Sequence, residues 1–208
     1  MLRILLILLT LSKSISVLSQ PASFDKAVRQ LFFDVNIYKA SSSIVDSFER
    51  VADLKYNDTV VNQWSLSASL FLETKEEAWT SGHKFSFSKS PIAGFKIRSG
   101  QIIVRLVETS TTKKVMGLEW EVDFNNKKEG ELFYNKLKEI FAPLSTKQKT
   151  EYDNFVGDIA QYSTRNENEK GVRDISIYFG KSSRKEKYQI MLTLFNEFAA
   201  EEVVNTEK

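Results

Sequence analysis

Leu118-Glu119-Trp120-Glu121-Val122-Asp123-Phe124 carries an apolar residue at every second position and an acid between each pair. That alternation is the period of a β-strand with one face on a core and the other turned outward. The same period continues on both sides. Ile102, Val104 and Leu106 alternate after Ser99-Gly100, which reads as a bulge or tight turn, and Phe95 and Ile97 open that strand. Phe85 and Phe87 mark an earlier strand that must stop near Pro91, whose ring removes a ladder donor. Trp64, Leu66, Ala68, Leu70 and Leu72 alternate with serines before it. Downstream, Ile175, Ile177 and Phe179 pair as a hairpin with Tyr188, Ile190, Leu192 and Leu194.

Helical spacing brackets these strands. Phe24, Ala27, Val28, Leu31, Phe32 and Val35 fall on one stripe behind Ser23 as N-cap. A second helix follows the Ser41–Ser43 cluster, burying Ile44, Val45, Phe48, Val51 and Ala52. A third begins at Asn126, capped with Glu129, and buries Leu132, Phe133, Leu137, Ile140 and Phe141. Ser145 and Gln148 offer a further capping box for a fourth helix carrying Tyr152, Phe155, Val156, Ile159 and Ala160. The predicted order is α-α-β-β-β-β-α-α-β-β, an α+β class with a mainly antiparallel sheet covered by helices. Residues 20–200 read as a single domain and 201–208 as a fraying tail. A weak internal similarity suggests two halves, 23–124 and 126–198. Leu31-Phe32 matches Ile140-Phe141, and Asp46-x-Phe48 matches Asp153-x-Phe155.

Residues 1–19 read as a signal peptide. Arg3 precedes the apolar run Ile4–Leu9, and Val17 and Ser19 place the cut before Gln20. The leader resembles bacterial export signals. With no cysteine in 208 residues, the expectation is a bacterial protein exported to the periplasm or beyond. Of 29 basic and 27 acidic residues, the leader takes Arg3 and Lys13 and no acid, so the remainder is neutral. Neutrality argues against a nucleic-acid partner. No later stretch approaches the roughly 18 apolar residues of a transmembrane helix.

The missing residues exclude chemistry. Without Cys there is no disulfide, thiol nucleophile or Cys-held zinc. His83 is the only histidine, too few for a zinc hydrolase. The eight glycines are never close enough for a dinucleotide or phosphate loop. Tyr134/Lys138 has catalytic spacing but reads as an ordinary i,i+4 helix pair. No catalytic residue, metal site or cofactor is therefore expected.

Three places remain as candidates for binding. Trp79 stands in the polar connection Glu73–Gly82, as a plug beneath the loop or as an anchor for a partner. His83 is a polar residue entering a strand, or a general base walled by Trp79. Lys181, Arg184 and Lys185 form a basic turn, a solvated hairpin tip or a contact for an anionic partner. The acids Glu119, Glu121 and Asp123 read as a solvated outer face paired with Arg105, Lys96 or Arg98, rather than as a carboxylate or cation site.

The function expected from this set is a non-catalytic exported domain that binds another protein or a cell-envelope component. Two alternatives stay open. One is a carrier of a small apolar ligand between sheet and helices, for which 15 Phe would supply a lining. The other is a hydrolase using Glu119, Glu121 or Asp123 as acid and base.

Overall fold

Ser23 caps helix α1 (Phe24–Leu31), its side chain accepting a hydrogen bond from the Lys26 amide at 3.2 Å, and the stripe Phe24, Ala27, Val28, Leu31 is buried. The computed structural model describes residues 23–37, 41–64, 77–154, 157–164, 174–182, 187–195 and 201–203. The expected leader, the positions Leu66–Leu72, and Phe155, Val156, Arg184 and Lys185 lie outside them. Helix α2 (Ser41–Glu49) buries Ile44, Val45 and Phe48. Helix α3 (Lys127–Phe141) starts at Asn126, whose side chain accepts from the Glu129 amide at 2.9 Å, and runs into a 3-10 turn at Pro143. Among the described residues no helix is long and apolar enough to cross a membrane.

The strands are β1 (Lys55–Trp64), β2 (Trp79–Phe87), β3 (Ser99–Glu108), β4 (Thr112–Phe124), β5 (Lys147–Asp153), β6 (Gly157–Ser163), β7 (Asp174–Ser182) and β8 (Lys187–Phe195). They form one sheet in the order β1-β2-β3-β4-β8-β7-β6-β5, and every adjacent pair is antiparallel. Two four-strand meanders thus meet at the β4–β8 ladder, where Trp120 lies opposite Leu192. A short β9 (Glu201–Val203), in the segment expected to fray, pairs Thr112–Lys114 of β4.

Helix and strand side chains share one core. Trp120 is fully buried, its ring 6.0 Å from Phe133 of α3 and 6.3 Å from Phe87 of β2. Phe48 of α2 lies 5.4 Å from Phe85, and Phe24 of α1 lies 5.3 Å from Phe141. Burying such rings supplies the main drive for folding, about 25 cal/mol for each Å² of apolar surface removed from water.

The structure corrects the predicted element order. The expected fourth helix is two strands, β5 and β6. Its capping box does not form: the Ser145 hydroxyl donates back to the Phe141 carbonyl at 2.7 Å, and the Gln148 amide donates to the Ala142 carbonyl at 3.3 Å. Both groups close α3 instead of opening a new helix. Gly157, at φ +100°, then sits where β6 begins, a left-handed conformation that an α-helix cannot contain. A second correction concerns β3, which starts at Ser99; Phe95 belongs to the irregular stretch before it and packs 5.1 Å from Phe133. A third concerns Trp79, which begins β2 rather than standing in a loop.

Candidate functional site

Strand alternation sends Ile102, Val104, Leu118, Trp120 and Val122 into the core and leaves the intervening residues on the sheet's other face. Register aligns those residues across the sheet. One row runs Lys84, Ile103, Glu119, Thr193, Ser176, Gln161, Lys149, and the next runs Ser86, Gln101, Glu121, Met191, Tyr178, Ile159, Glu151. The face is polar but only modestly charged, and most of its residues are half-buried by their neighbours.

Two depressions mark this face. The larger, about 720 Å³, is open and lies over β5, β6 and β7. Lys147, Lys149, Gln161, Ser163, Asp174 and Ser176 line it. Hydroxyls, an amide, two ammonium groups and a carboxylate offer donors and acceptors in a shallow, wet setting. The smaller, about 210 Å³, lies over β2, β3 and β4 between Lys84, Ser86, Ser99, Gln101, Glu121 and Asp123.

The acidic row behaves as expected at one position and not at another. Arg105 donates to both carboxylate oxygens of Glu119 through its Nε and Nη2, the latter at 3.1 Å. This bidentate bond holds the Arg105 proton more firmly than usual. Glu121 accepts from the Gln101 amide. Asp123, expected to face water, is instead buried, at 8% exposure. Ser99 donates to its carboxylate at 3.1 Å, and the Lys187 ammonium lies 3.6 Å away. Both partners come from strands flanking β4, and they close over the acid where β4 ends. Among the described residues no group of three or more His, Asp or Glu side chains is placed to hold a metal ion.

Of the residues singled out from the sequence, the described ones, Trp79, His83 and Lys181, do not converge. Trp79 and His83 share a face of β2 but stand four residues apart, about 13 Å along a strand, so Trp79 does not wall His83. Lys181 is exposed on β7, four strand positions from β2, about 19 Å across the sheet. His83 sits in mid-strand rather than at a strand entry. Its Nδ1 lies 3.3 Å from the Tyr56 hydroxyl. Burial holds its pKa below the ordinary 6.5, and the Lys113 charge adds to this, while Glu49 and Glu108 oppose it. The fold therefore favours neutral His83. This contribution to stability is complete above about pH 6.5 and is lost as pH falls below it. We expect His83→Gln to flatten the decline in urea midpoint between about pH 7.5 and pH 5. An unchanged decline would place the loss at other groups.

Tyr134 and Lys138 settle as a helix pair. The ammonium lies 5.4 Å from the Tyr134 ring centre, and burial pushes the Tyr134 hydroxyl pKa upward, opposite to what a catalytic tyrosine needs. The sequence reading missed Lys147, Gln161 and Ser176, the larger depression's polar floor. Gln161 and Ser176 alternate with buried Ala160, Tyr162, Ile175 and Ile177, and that alternation is their signal.

The chain is a mixed α and β protein in which an antiparallel sheet dominates, with a polar, indented sheet face. Comparison with models of protein families, with curated proteins and with solved structures finds no match.

Proposed function

We propose that this is a non-catalytic exported binding module whose partner, another protein or a cell-envelope component, rests on the polar face of the sheet. In this reading the three helices cover one face and leave the other free for the partner. One observation carries it: the larger depression is open, about 720 Å³, and built from polar side chains on three adjacent strands. Sites for small molecules are more often apolar and closely enclosed. A broad polar trough fits a large partner that contributes many weak hydrogen bonds.

The export signal over 1–19 and the processing point before Gln20 belong to this proposal, as does the reading of two halves. The paired meanders β1–β4 and β5–β8 support a division near residue 125. Against the earlier pairing, Asp46 and Phe48 lie on α2 whereas Asp153 ends β5.

Trp120, Phe87 and Phe133 fill the space that an apolar ligand would occupy, so the carrier reading has no support from the core. The hydrolase reading has one observation behind it, since Glu121 and Asp123 line the same small depression. Gln101, Ser99 and Lys187 already engage those carboxylates, which is the arrangement of a structural network.

Ser176→Trp would fill the trough while leaving the buried face of β7 unchanged. Affinity for a partner recovered from the exported fraction should fall at least about tenfold, and the melting temperature should hold. Lys26→Glu on α1 should leave affinity unchanged. Equal affinity for Ser176→Trp and the original protein would refute the proposal.

A further inference from the structure

Strand β5 ends the sheet. Its one partner among the described residues is β6, and Lys147–Tyr152 are exposed along their whole length. An edge with six consecutive exposed residues offers backbone donors and acceptors to another strand. Its sequence is Lys147-Gln148-Lys149-Thr150-Glu151-Tyr152-Asp153. The four charged residues share the polar face, and none has a charged neighbour opposite on β6, where Ser163, Gln161, Ile159 and Gly157 stand. The charges run plus, plus, minus, minus about Thr150.

That pattern is its own complement when the strand is turned around. We propose that β5 pairs antiparallel with β5 of a second copy of this chain, about a two-fold axis at Thr150. In this register Lys147 meets the partner's Asp153, and Lys149 meets the partner's Glu151. Each contact occurs twice, as an isologous interface requires. Lys149 and Glu151 already touch along the strand, so two copies make a ring of four alternating charges. On the opposite face Gln148 meets the partner's Tyr152, a side chain left 70% exposed in one copy. Moving the axis to Lys149 or Glu151 sets that charge against itself, and parallel in-register pairing does so at all four positions. The charges that guard this edge against foreign strands therefore admit its own copy in one register. The two polar faces would join in one continuous sheet, with a depression on either side of the axis. This inference does not depend on what the face binds.

An edge of seven residues is a small interface, so dimerisation in the micromolar range is expected. Sedimentation velocity of the purified protein up to about 200 μM should show a monomer–dimer equilibrium that weakens with added salt. Lys147→Glu/Lys149→Glu makes the edge wholly acidic, and Glu151→Lys/Asp153→Lys makes it wholly basic. Each variant alone should dimerise at least about tenfold more weakly, while an equal mixture should form a one-to-one heterodimer. Matching melting curves check that both variants fold. A strictly monomeric original protein would overturn the proposal. So would a mixture that stays monomeric, or self-association unaffected by either pair of substitutions.

Discussion

Gly157→Ala should destabilise the protein by about 3–5 kcal/mol. Gly157 holds φ +100°, and a Cβ there would lie 2.3 Å from the Phe179 carbonyl oxygen and 2.9 Å from the Gly180 Cα. Those atoms are backbone in β7, so relief requires opening the β6–β7 ladder rather than rotating a side chain. Gly94 supplies the control. It holds φ +84°, but a Cβ would meet nothing within 4 Å. Gly94→Ala should therefore cost only the backbone strain, about 1 kcal/mol. Urea denaturation of both variants separates strain from collision. Equal costs would mean that β6 does not lie against β7 as described.

Trp120→Ala should cost about 3–5 kcal/mol, because it empties the centre of the core between Phe87 and Phe133. Trp120→Phe should cost less than about 1.5 kcal/mol. The indole Nε1 is buried with no hydrogen-bond partner among the described residues, and leaving such a donor unpaired carries its own penalty of about 1–3 kcal/mol. Removing that donor offsets part of the lost volume. Glu121→Gln, one residue along and on the opposite face, retains an acceptor for Gln101 and should change stability by less than about 0.5 kcal/mol. Chemical denaturation of the three variants tests the phase of β4. A larger loss for Glu121→Gln than for Trp120→Ala would reverse its faces.

Strands with one buried face were legible in the sequence. β4 and the hairpin β7–β8 announced themselves through Leu118, Trp120, Val122 and through Ile177, Ile190, Leu192, since burial imposes a period of two. α1 and α3 were legible through their caps at Ser23 and Asn126. β5 was not, because an edge strand with Lys147–Tyr152 exposed leaves no apolar period to read. Tyr152, Ile159 and Ala160 happened to fall at helical spacing, and the warning was Gly157 in the middle of that run. The start of β1 was hidden in the same way by the polar stretch Lys55–Asp58.

The face was more legible than its depth. Alternation placed Glu119, Glu121 and Asp123 together and offered Arg105, Lys96 or Arg98 as partners; of these, Arg105 pairs with Glu119. It could not show that Asp123 is enclosed, because Ser99 and Lys187 arrive from strands distant in sequence. Nor could local spacing reveal a depression that needs β5, β6 and β7 side by side.

Hydroxyl-radical footprinting of the protein with and without a partner recovered from the exported fraction would show which face of the sheet the partner covers. Met191 and Tyr178 lie opposite one another at the centre of the polar face, and both oxidise readily. Leu132, expected in the buried stripe of α3, is instead 55% exposed and reports the helix side. A partner on the polar face should protect Met191 and Tyr178 and leave Leu132 unchanged. Protection of Leu132 with Met191 and Tyr178 still oxidised would contradict that placement.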